Sequence, residues 1–287
     1  MTVLEGIQKS AEFLTKKGVE SPRLQAELLL AHILHLPRMR LYLNFERALT
    51  PAETDDFREL IRRRGQREPL QHITGSTSFC GLEIAVSRDA LVPRPETELL
   101  AEEGWKFLST VGEESAAALD FGAGTGCIAI ALAAKCPEAR VCALDVSEKA
   151  LELARQNAAK NNVGERIQFF LGNGFSALAS QKDAPSAFDL IISNPPYIPS
   201  AEIESLEPEV RDFDPRAALD GGADGLDFYR MFASEARPFL KPGGKIMLEF
   251  GDGQGDSIKT LFENQKWIVE DIREDYTRRQ RILIARL

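Results

Sequence analysis

The sequence predicts an α/β protein in which a small helical bundle precedes a mostly parallel sheet with an antiparallel edge hairpin. Three patterns predict this: helical spacing of apolar residues up to about residue 75, period-two alternation between about 76 and 92, and strands alternating with helices from residue 116 onward. The chain of 287 residues exceeds the usual size of one domain. We therefore expect a helical N-terminal domain at 1–75, a linking β-hairpin at 76–92 and a second domain at 93–287.

The N-terminal pattern predicts helices with recognisable ends. An apolar stripe from Val3 to Leu14 stops before Gly18, which suits a C-terminal cap. Ser21-Pro22 predicts an N-cap followed by proline in the first turn, with Leu24, Leu28 and Ala31 as the apolar face of the next helix. A capping box at Thr50–Glu53 then predicts a helix that reaches Gly65. This region has no cluster of catalytic residue types, so we expect it to bind a partner.

The remaining elements follow in order. Alternation of Leu82, Ile84 and Val86 after Gly81 predicts the hairpin, and Pro93–Glu98 leads into a helix. Short apolar runs then predict strands at Ala117–Phe121, Val141–Leu144, Ile167–Leu171, Phe188–Ser193, Lys245–Phe250, Trp267–Ile272 and Arg281–Ala285. Helical segments separate the first three runs, and another spans Leu226–Leu240, which is typical of a parallel sheet covered on both faces. The last two runs are joined by a short turn and should pair antiparallel at one edge.

Composition excludes several classes. With 44% hydrophobic and 28% charged residues, the chain matches ordinary globular proteins. It contains no apolar stretch near the ~20 residues that cross a bilayer and no signal-peptide layout, so we expect a cytoplasmic protein with no membrane partner. The four cysteines lack Cys-x-x-Cys spacing and nearby histidines. We therefore predict reduced thiols and no metal site.

The net charge of −9 is unevenly distributed. Residues 1–75 carry 12 Lys/Arg against 10 Asp/Glu, whereas residues 76–287 carry 23 against 34. Such an acidic second domain repels a phosphate backbone, so we expect no stable nucleic-acid partner. The arginines between Arg58 and Arg67 form either a contact for an acidic protein surface or RNA, or a solvated helix face beside neighbouring acids.

A glycine-rich loop follows the first parallel strand. The predicted nucleotide-binding residues here are Gly122, Ala123, Gly124, Thr125 and Gly126. Glycines permit tight turning and close approach of the backbone to a ligand at the carboxyl edge of the sheet. Asp145 ends the next strand, where a carboxylate can accept hydrogen bonds from both ribose hydroxyls. After the third strand, we expect Asn173 and Gly174 to lie near an adenine, with Phe175 either stacking on it or filling the core.

The fourth strand ends at Asn194-Pro195-Pro196-Tyr197. Two prolines stop the strand and leave a stiff loop rich in acceptors, which suits a site that grips an –NH2 group by its two hydrogens. We expect the Asn194 side-chain oxygen and the Pro195 carbonyl to accept one hydrogen each. Tyr197 either packs against the flat acceptor group or plugs the loop. The tetrapeptide resembles the signature of methyltransferases that act on planar nitrogen, and S-adenosylmethionine is the donor that explains such a loop beside a nucleoside pocket; Asn194 is therefore also a candidate donor contact.

These motifs together resemble the HemK-like protein-(glutamine-N5) methyltransferases of peptide chain release factors. The resemblance runs nearly end to end and includes Leu91–Glu98, Gly122–Gly126, Asp145, Asn194–Ile198 and Asp214–Leu219. It implies a Rossmann-like S-adenosylmethionine-dependent methyltransferase domain. It also implies that the acceptor is the glutamine of a Gly-Gly-Gln loop in release factors and that the N-terminal domain helps to dock the factor. Separately, we expect the protein to be a monomer. Family members commonly carry an aspartate where this chain has Asn173, which keeps an acceptor oxygen but lacks the charge.

Two other functions stay open at this point. An adenine-N6 methyltransferase acting on RNA or DNA would meet the same two hydrogens on an exocyclic amine. A non-catalytic adaptor would bind its partner through the helical domain and retain only a vestigial donor pocket.

Overall fold

The computed structural model describes residues 1–111, 116–181 and 183–287. The helices in these ranges are α1 (Val3–Lys16), α2 (Pro22–Ile33), α3 (Arg38–Leu41), α4 (Pro51–Gly65), α5 (Leu70–Thr74), α6 (Pro95–Val111), α7 (Cys127–Lys135), α8 (Glu148–Lys160), α9 (Gly174–Ala179), α10 (Pro208–Arg211), α11 (Asp227–Glu235) and α12 (Gly255–Asn264). The strands are β1 (Ser76–Phe79), β2 (Leu82–Ala85), β3 (Ala117–Phe121), β4 (Arg140–Asp145), β5 (Ile167–Leu171), β6 (Phe188–Ser193), β7 (Leu240–Glu249), β8 (Ile268–Glu274) and β9 (Gln280–Arg286). Within these ranges, no helix has both the length and the hydropathy that a membrane span requires.

The chain divides into two compact units. The first comprises Met1–Ser76 together with Glu207–Phe213, and the second comprises Thr77–Leu206 together with Asp214–Leu287. The sequence patterns gave no sign that Glu207–Phe213, which includes α10, belongs with the N-terminal helices. The functional assignment of the predicted domains 1–75, 76–92 and 93–287 stays a prediction.

Local sequence explains the helix ends of the first unit. The capping box predicted at Thr50–Glu53 is confirmed, because the Thr50 side chain accepts the Glu53 N–H while the Glu53 carboxylate accepts the Thr50 N–H. Thr2 and Glu5 form the same arrangement at α1, which the sequence analysis did not identify. Buried apolar residues of α1, α2 and α4 meet in one core.

Ion pairs join Glu207–Phe213 to the helices of the first unit. The buried Arg64 donates to Glu209 at 2.7 Å, and Arg67 donates to both Glu209 and Glu207. The other arginines of the run are also paired, Arg58 with Asp55, Arg62 with Glu59 and Arg63 with Glu68. The charge of this run is therefore largely neutralised by carboxylates of the same unit.

The predicted face of α2 is confirmed only in part. Ala31 is buried and Leu28 is half-buried, but Leu24 is 41% exposed, and Ala26, Leu29 and Leu30 are buried as well. This helix is apolar on most of its circumference, so sequence periodicity does not define a unique buried face. Ser21 does precede α2, but its side chain makes no capping hydrogen bond and its backbone is left-handed with φ 46°.

A seven-stranded sheet forms the centre of the second unit among the described residues, in the order β5-β4-β3-β6-β7-β9-β8. Parallel register pairs Phe121 with Leu144 and Asp120 with Ile192. Because these strands end at the same edge of the sheet, the residues after β3, β4 and β6 lie next to one another. All residues of β3 and β6 are buried, as their mainly apolar sequences predict, and this includes the polar Asp120, Asp189 and Ser193.

Helices cover both faces of this sheet. One apolar cluster includes buried residues of α6, α7 and α8 together with Phe79 and Ile84 of the β1–β2 hairpin. The opposite cluster includes Phe175 of α9 and buried aromatic residues of α11 and α12. A hairpin forms as predicted, but it ends at Ala85 rather than at residue 92. Its turn residues Cys80 and Gly81 both have positive φ, as primed hairpin turns require.

Most predicted strands are confirmed. The bounds of β3, β5 and β6 agree with the sequence prediction, and β8 and β9 pair antiparallel with β8 at the edge. β7 begins at Leu240 rather than Lys245. The sequence analysis missed α12, whose glycine-rich start masks the helical spacing of its buried residues Ile258 and Phe262.

Gly126 tests the packing of α7 against α8. It has φ +78°, and an added Cβ would lie 2.9 Å from the Cβ of Ala154. Gly243 has φ +79° but open space around an added Cβ, which makes it the matched control. We expect Gly126→Ala to lower the free energy of unfolding by about 1–3 kcal/mol more than Gly243→Ala, measured by urea denaturation. Equal losses would show that the close approach of these helices contributes nothing.

Candidate functional site

A cleft of about 280 Å³ opens at the carboxyl edge of the sheet in the second unit. Sequence-predicted residues that line it are Gly122, Ala123, Gly124, Thr125, Asp145, Asn173, Gly174, Asn194 and Pro196. Three other predicted residues, Gly126, Pro195 and Tyr197, are not part of its lining. The glycine loop, the end of β4 and the segment Asn194–Pro196 after β6, which we call the proline corner, therefore meet at one cavity, as parallel register requires.

The glycine loop is folded by backbone hydrogen bonds to β4. Gly122 and Ala123 donate their N–H groups to the carbonyl of Leu144 at 2.8 and 3.0 Å. Gly122 and Gly124 have positive φ, and a Cβ added to Gly122 would meet no atom within 4 Å. The loop thus leaves open space beside its backbone. Gly126, the N-cap of α7, closely approaches Ala154 of α8.

Asp145 is held in place by two backbone N–H groups. Its Oδ2 accepts from Gly124 and its Oδ1 accepts from Ser147, both at 2.8 Å. Each carboxylate oxygen keeps a further acceptor site, and the side chain lines the cleft. This geometry allows the carboxylate to accept from a pair of neighbouring hydroxyls such as those of a ribose.

Asn173 precedes α9 at the N-cap position, but its side chain makes no capping hydrogen bond. The amide is therefore not used by the helix and lies at the cleft with Gly174. Phe175 fills the core: it is 1% exposed and stacks on Phe239 with ring centroids 4.9 Å apart. Of the two roles that the sequence left open for Phe175, the structure supports core packing.

The Asn194 side chain is fixed by two buried groups from other elements. Its Nδ2 donates to the Thr97 hydroxyl at 3.0 Å, and that hydroxyl donates to Glu249 Oε2 at 2.7 Å. Thr97 is 3% and Glu249 2% exposed, so this chain of hydrogen bonds is shielded from water. Because the amide nitrogen donates to Thr97, the amide oxygen remains as an acceptor for the cleft. A hydrogen of an –NH2 group could bind there.

Tyr197 lies behind the proline corner. Its ring packs against the core cluster of α11 and α12, and Gln254 donates to its carbonyl at 2.9 Å. Burial, with a further contribution from the charge of Glu249, raises the pKa of Tyr197 to about 12. The structure therefore favours the plug over direct packing against an acceptor group.

Sequence analysis missed several residues of the site. Thr97 lies inside a motif noted for its family resemblance, but nothing in its local pattern indicates a contact with Asn194. Pro215, Ala217 and Ala218 cover part of the cleft. Their loop is anchored by the buried Asp214, which accepts from Arg94 at 2.7 Å and from the Val92 N–H at 3.4 Å. Burial raises the pKa of Asp214, and the charge of Arg94 opposes that rise.

Asp120, in β3 just before the glycine loop, is another buried carboxylate. Its Oδ2 accepts from the Ala129 N–H at 2.9 Å, while its Oδ1 has no hydrogen-bond partner among the described residues. Burial raises the pKa of Asp120 to about 7; the Ala129 hydrogen bond opposes this and the charge of Asp145 adds to it. The carboxyl group is thus partly protonated near neutral pH.

Comparisons with known proteins agree with this geometry. Residues 5–75 match the family described as PrmC N-terminal domain, and residues 102–206 match the methyltransferase small domain. A release factor glutamine methyltransferase from Geobacter sulfurreducens is 45% identical over 91% of this chain and 88% of its own length. The chain belongs to the release factor glutamine methyltransferase family. The family member from Chlorobaculum tepidum is 41% identical over 98% of this chain and 95% of its own.

Solved structures share the fold. A methyltransferase from Pyrococcus furiosus superposes on 72% of this chain and 90% of its own with a TM-score of 0.50 and 24% identity. The methyl donor of the family is S-adenosylmethionine. The residues present fit this donor: a Cβ at Gly122 or Gly174 would project into open space, and Asp145 offers acceptors for a ribose.

The pH dependence of stability tests the buried state of Asp120. The folded protein keeps the proton of Asp120 up to about pH 7, whereas the unfolded chain releases it near the usual value of 3.8. The free energy of unfolding therefore falls between these pH values, and Asp120→Asn removes that contribution. We expect the variant to gain roughly 3–4 kcal/mol relative to wild type between pH 4 and 7, measured by urea denaturation. The exposed Asp256→Asn is the control for loss of one carboxylate. A pH-independent difference for Asp120→Asn would contradict the assignment.

Proposed function

We propose that this protein transfers a methyl group from S-adenosylmethionine to the side-chain amide nitrogen of the glutamine in the Gly-Gly-Gln motif of peptide chain release factors. The observation that carries the proposal is the placement of Asn194 beside the glycine loop and Asp145 in one cleft. Membership of the family and end-to-end similarity to its members support the choice of acceptor.

In this proposal, the donor is held by the residues at the ends of β3, β4 and β5. The glycine loop from Gly122 to Gly126 provides backbone, with Ala123, Gly124 and Thr125 at the cleft. Asp145 accepts from the ribose, and Asn173 with Gly174 borders the adenine. When bound, S-adenosylmethionine supplies an electron-poor methyl carbon on its sulfonium group.

The acceptor amide is oriented by the proline corner. A carboxamide nitrogen is a poor nucleophile because its lone pair is delocalised into the carbonyl. Asn194 Oδ1 and the Pro195 carbonyl each accept one hydrogen of the acceptor –NH2, which turns its lone pair toward the donor; Pro196 borders the cleft beside them. Fixed orientation of this kind contributes on the order of 7–11 kcal/mol to lowering a barrier. The same acceptors stabilise positive charge that develops on nitrogen, so no dedicated general base is needed.

Residues 1–75 would contact the release factor. Their separate match to an N-terminal domain family, outside the residues that line the cleft, supports a role other than methyl transfer. Tyr197 would stiffen the corner from behind, as its contact with the core and with Gln254 supports. We propose that the protein acts in the cytoplasm as a monomer.

The acceptor is tested by offering labelled S-adenosylmethionine to purified release factor, transfer RNA and DNA in parallel. We expect label in the release factor alone, and mass spectrometry should place the added methyl group on the glutamine of Gly-Gly-Gln. A release factor whose glutamine is replaced by alanine is the matched control. Label in RNA or DNA but not in the factor would favour an adenine-N6 methyltransferase, and no transfer to any of them would favour an adaptor.

Two substitutions separate the donor and acceptor roles. Asn194→Ala should bind S-adenosylmethionine with less than threefold loss but reduce methyl transfer by at least about a hundredfold, because orientation is lost. Asp145→Ala should instead weaken donor binding by tenfold or more, because both ribose hydrogen bonds are removed. Isothermal titration calorimetry and single-turnover rates check the two effects. Equal turnover by wild type and Asn194→Ala would remove the proposed mechanism.

A further inference from the structure

Two buried residues outside the proline corner control which atom of Asn194 faces the cleft. Thr97 comes from the first turn of α6 and Glu249 is the last residue of β7. They contact each other at 2.7 Å, and Thr97 contacts Asn194 Nδ2 at 3.0 Å. None of the three is adjacent to another in the chain, so the arrangement depends on the packing of α6 against the ends of β6 and β7.

The number of available hydrogens determines which group donates in each of these hydrogen bonds. A hydroxyl has one hydrogen, and an ionised carboxylate can only accept. Thr97 must therefore give its hydrogen to Glu249 and accept from its other neighbour. The Asn194 amide meets that requirement only with its nitrogen, which leaves Oδ1 for the cleft.

The backbone around Glu249 is also held. The buried Tyr229 donates its hydroxyl hydrogen to the Glu249 carbonyl at 2.7 Å. Beyond β7, the Gly251 N–H donates to Gln254, whose side-chain nitrogen in turn donates to the Tyr197 carbonyl. Gln254 thus links the segment after β7 to Tyr197, which follows the proline corner.

We propose that Thr97 and Glu249 are positioning residues for methyl transfer: the Glu249 carboxylate holds the Thr97 hydroxyl hydrogen, and Thr97 then keeps the Asn194 amide turned with Oδ1 toward the acceptor nitrogen. This inference rests on the proposed function of Asn194. With the amide reversed, the Asn194 –NH2 group would face the –NH2 group of the methyl acceptor. The methyl acceptor would then lose its hydrogen bond to Asn194 Oδ1 and keep only the one to the Pro195 carbonyl.

Protonation of Glu249 should reverse the donor and acceptor roles in the hydrogen bonds from Glu249 through Thr97 to Asn194. A protonated carboxyl can donate to the Thr97 oxygen, which frees the Thr97 hydrogen for Asn194 Oδ1 and favours the reversed amide. Burial raises the pKa of Glu249 to about 7; the Thr97 hydrogen bond opposes that rise. The other charged and titratable groups around Glu249 are Arg94, Glu96, Tyr197, Tyr229 and Arg281. Of these, Glu96 adds to the rise, while Arg281 and Arg94 oppose it.

The experiment compares Thr97→Val, which removes the hydroxyl at nearly constant volume, with Thr97→Ser, which keeps it. We expect Thr97→Val to lower kcat by at least tenfold with donor Kd within twofold of wild type, and Thr97→Ser to stay within threefold. In the Asn194→Asp background both oxygens accept, so Thr97→Val should lower the remaining kcat by less than threefold. Loss of donor binding in Thr97→Val but not in Thr97→Ser, or equal kcat for the two, would overturn the proposal.

Glu249 is tested by the pH profile of kcat between pH 5.5 and 9. In wild type, kcat should fall as the pH falls through about 7, and Glu249→Gln should not show this acid-side loss. Asp120→Asn, which removes the other carboxyl with a pKa near 7, should retain it. Identical profiles for wild type and Glu249→Gln would contradict the role of Glu249.

A readout without turnover separates this inference from the proposed function. In wild type, the Asn194 side-chain –NH2 protons should exchange with solvent at least tenfold more slowly than in Thr97→Val, with Thr97→Ser close to wild type; the resonances are assigned from their loss in Asn194→Ala. Wild-type protein that does not methylate release factor would refute the proposed function, whereas unchanged –NH2 exchange in Thr97→Val would refute the positioning role.

Discussion

The parallel register of β3 between β4 and β6 is the constraint on which the rest of the site depends. It pairs Phe121 with Leu144 and Asp120 with Ile192, so that three strands end at one level. Three parts of the cleft follow from that alignment: the glycine loop after β3, Asp145 at the end of β4, and Asn194 just after β6. A one-residue slip would turn these side chains to the opposite face of the sheet.

The side chains of the site are held in place by hydrogen bonds within the protein. Asp145 is held by two backbone N–H groups, and Asn194 is held by Thr97. Such preorganisation matters because orientation, rather than a strong base, activates an amide nitrogen. The cost is the burial of Glu249, which the Thr97 hydrogen bond offsets in part.

Sequence predicted the parts of the site that local patterns encode. Gly122, Asp145 and Asn194 each follow an apolar run, and the carboxyl ends of parallel strands meet at one edge. Thr97 and Glu249 were missed because their contact joins residues far apart in the chain, and only packing brings them together. The sequence also does not reveal that Gly126 closely approaches Ala154, because that contact joins two different helices. The exposure of Leu24 could not be predicted because α2 has apolar residues on several faces. The placement of Glu207–Phe213 was missed because it depends on ion pairs between distant segments.

A crystal structure of the protein with S-adenosylhomocysteine and a release factor fragment containing Gly-Gly-Gln tests the central claim most directly. The account predicts the glutamine side-chain nitrogen at about 2.7–3.2 Å from both Asn194 Oδ1 and the Pro195 carbonyl oxygen, with Asn194 Nδ2 still on Thr97. A glutamine nitrogen outside hydrogen-bond distance of Asn194, or an Asn194 amide whose nitrogen faces the glutamine, would contradict it.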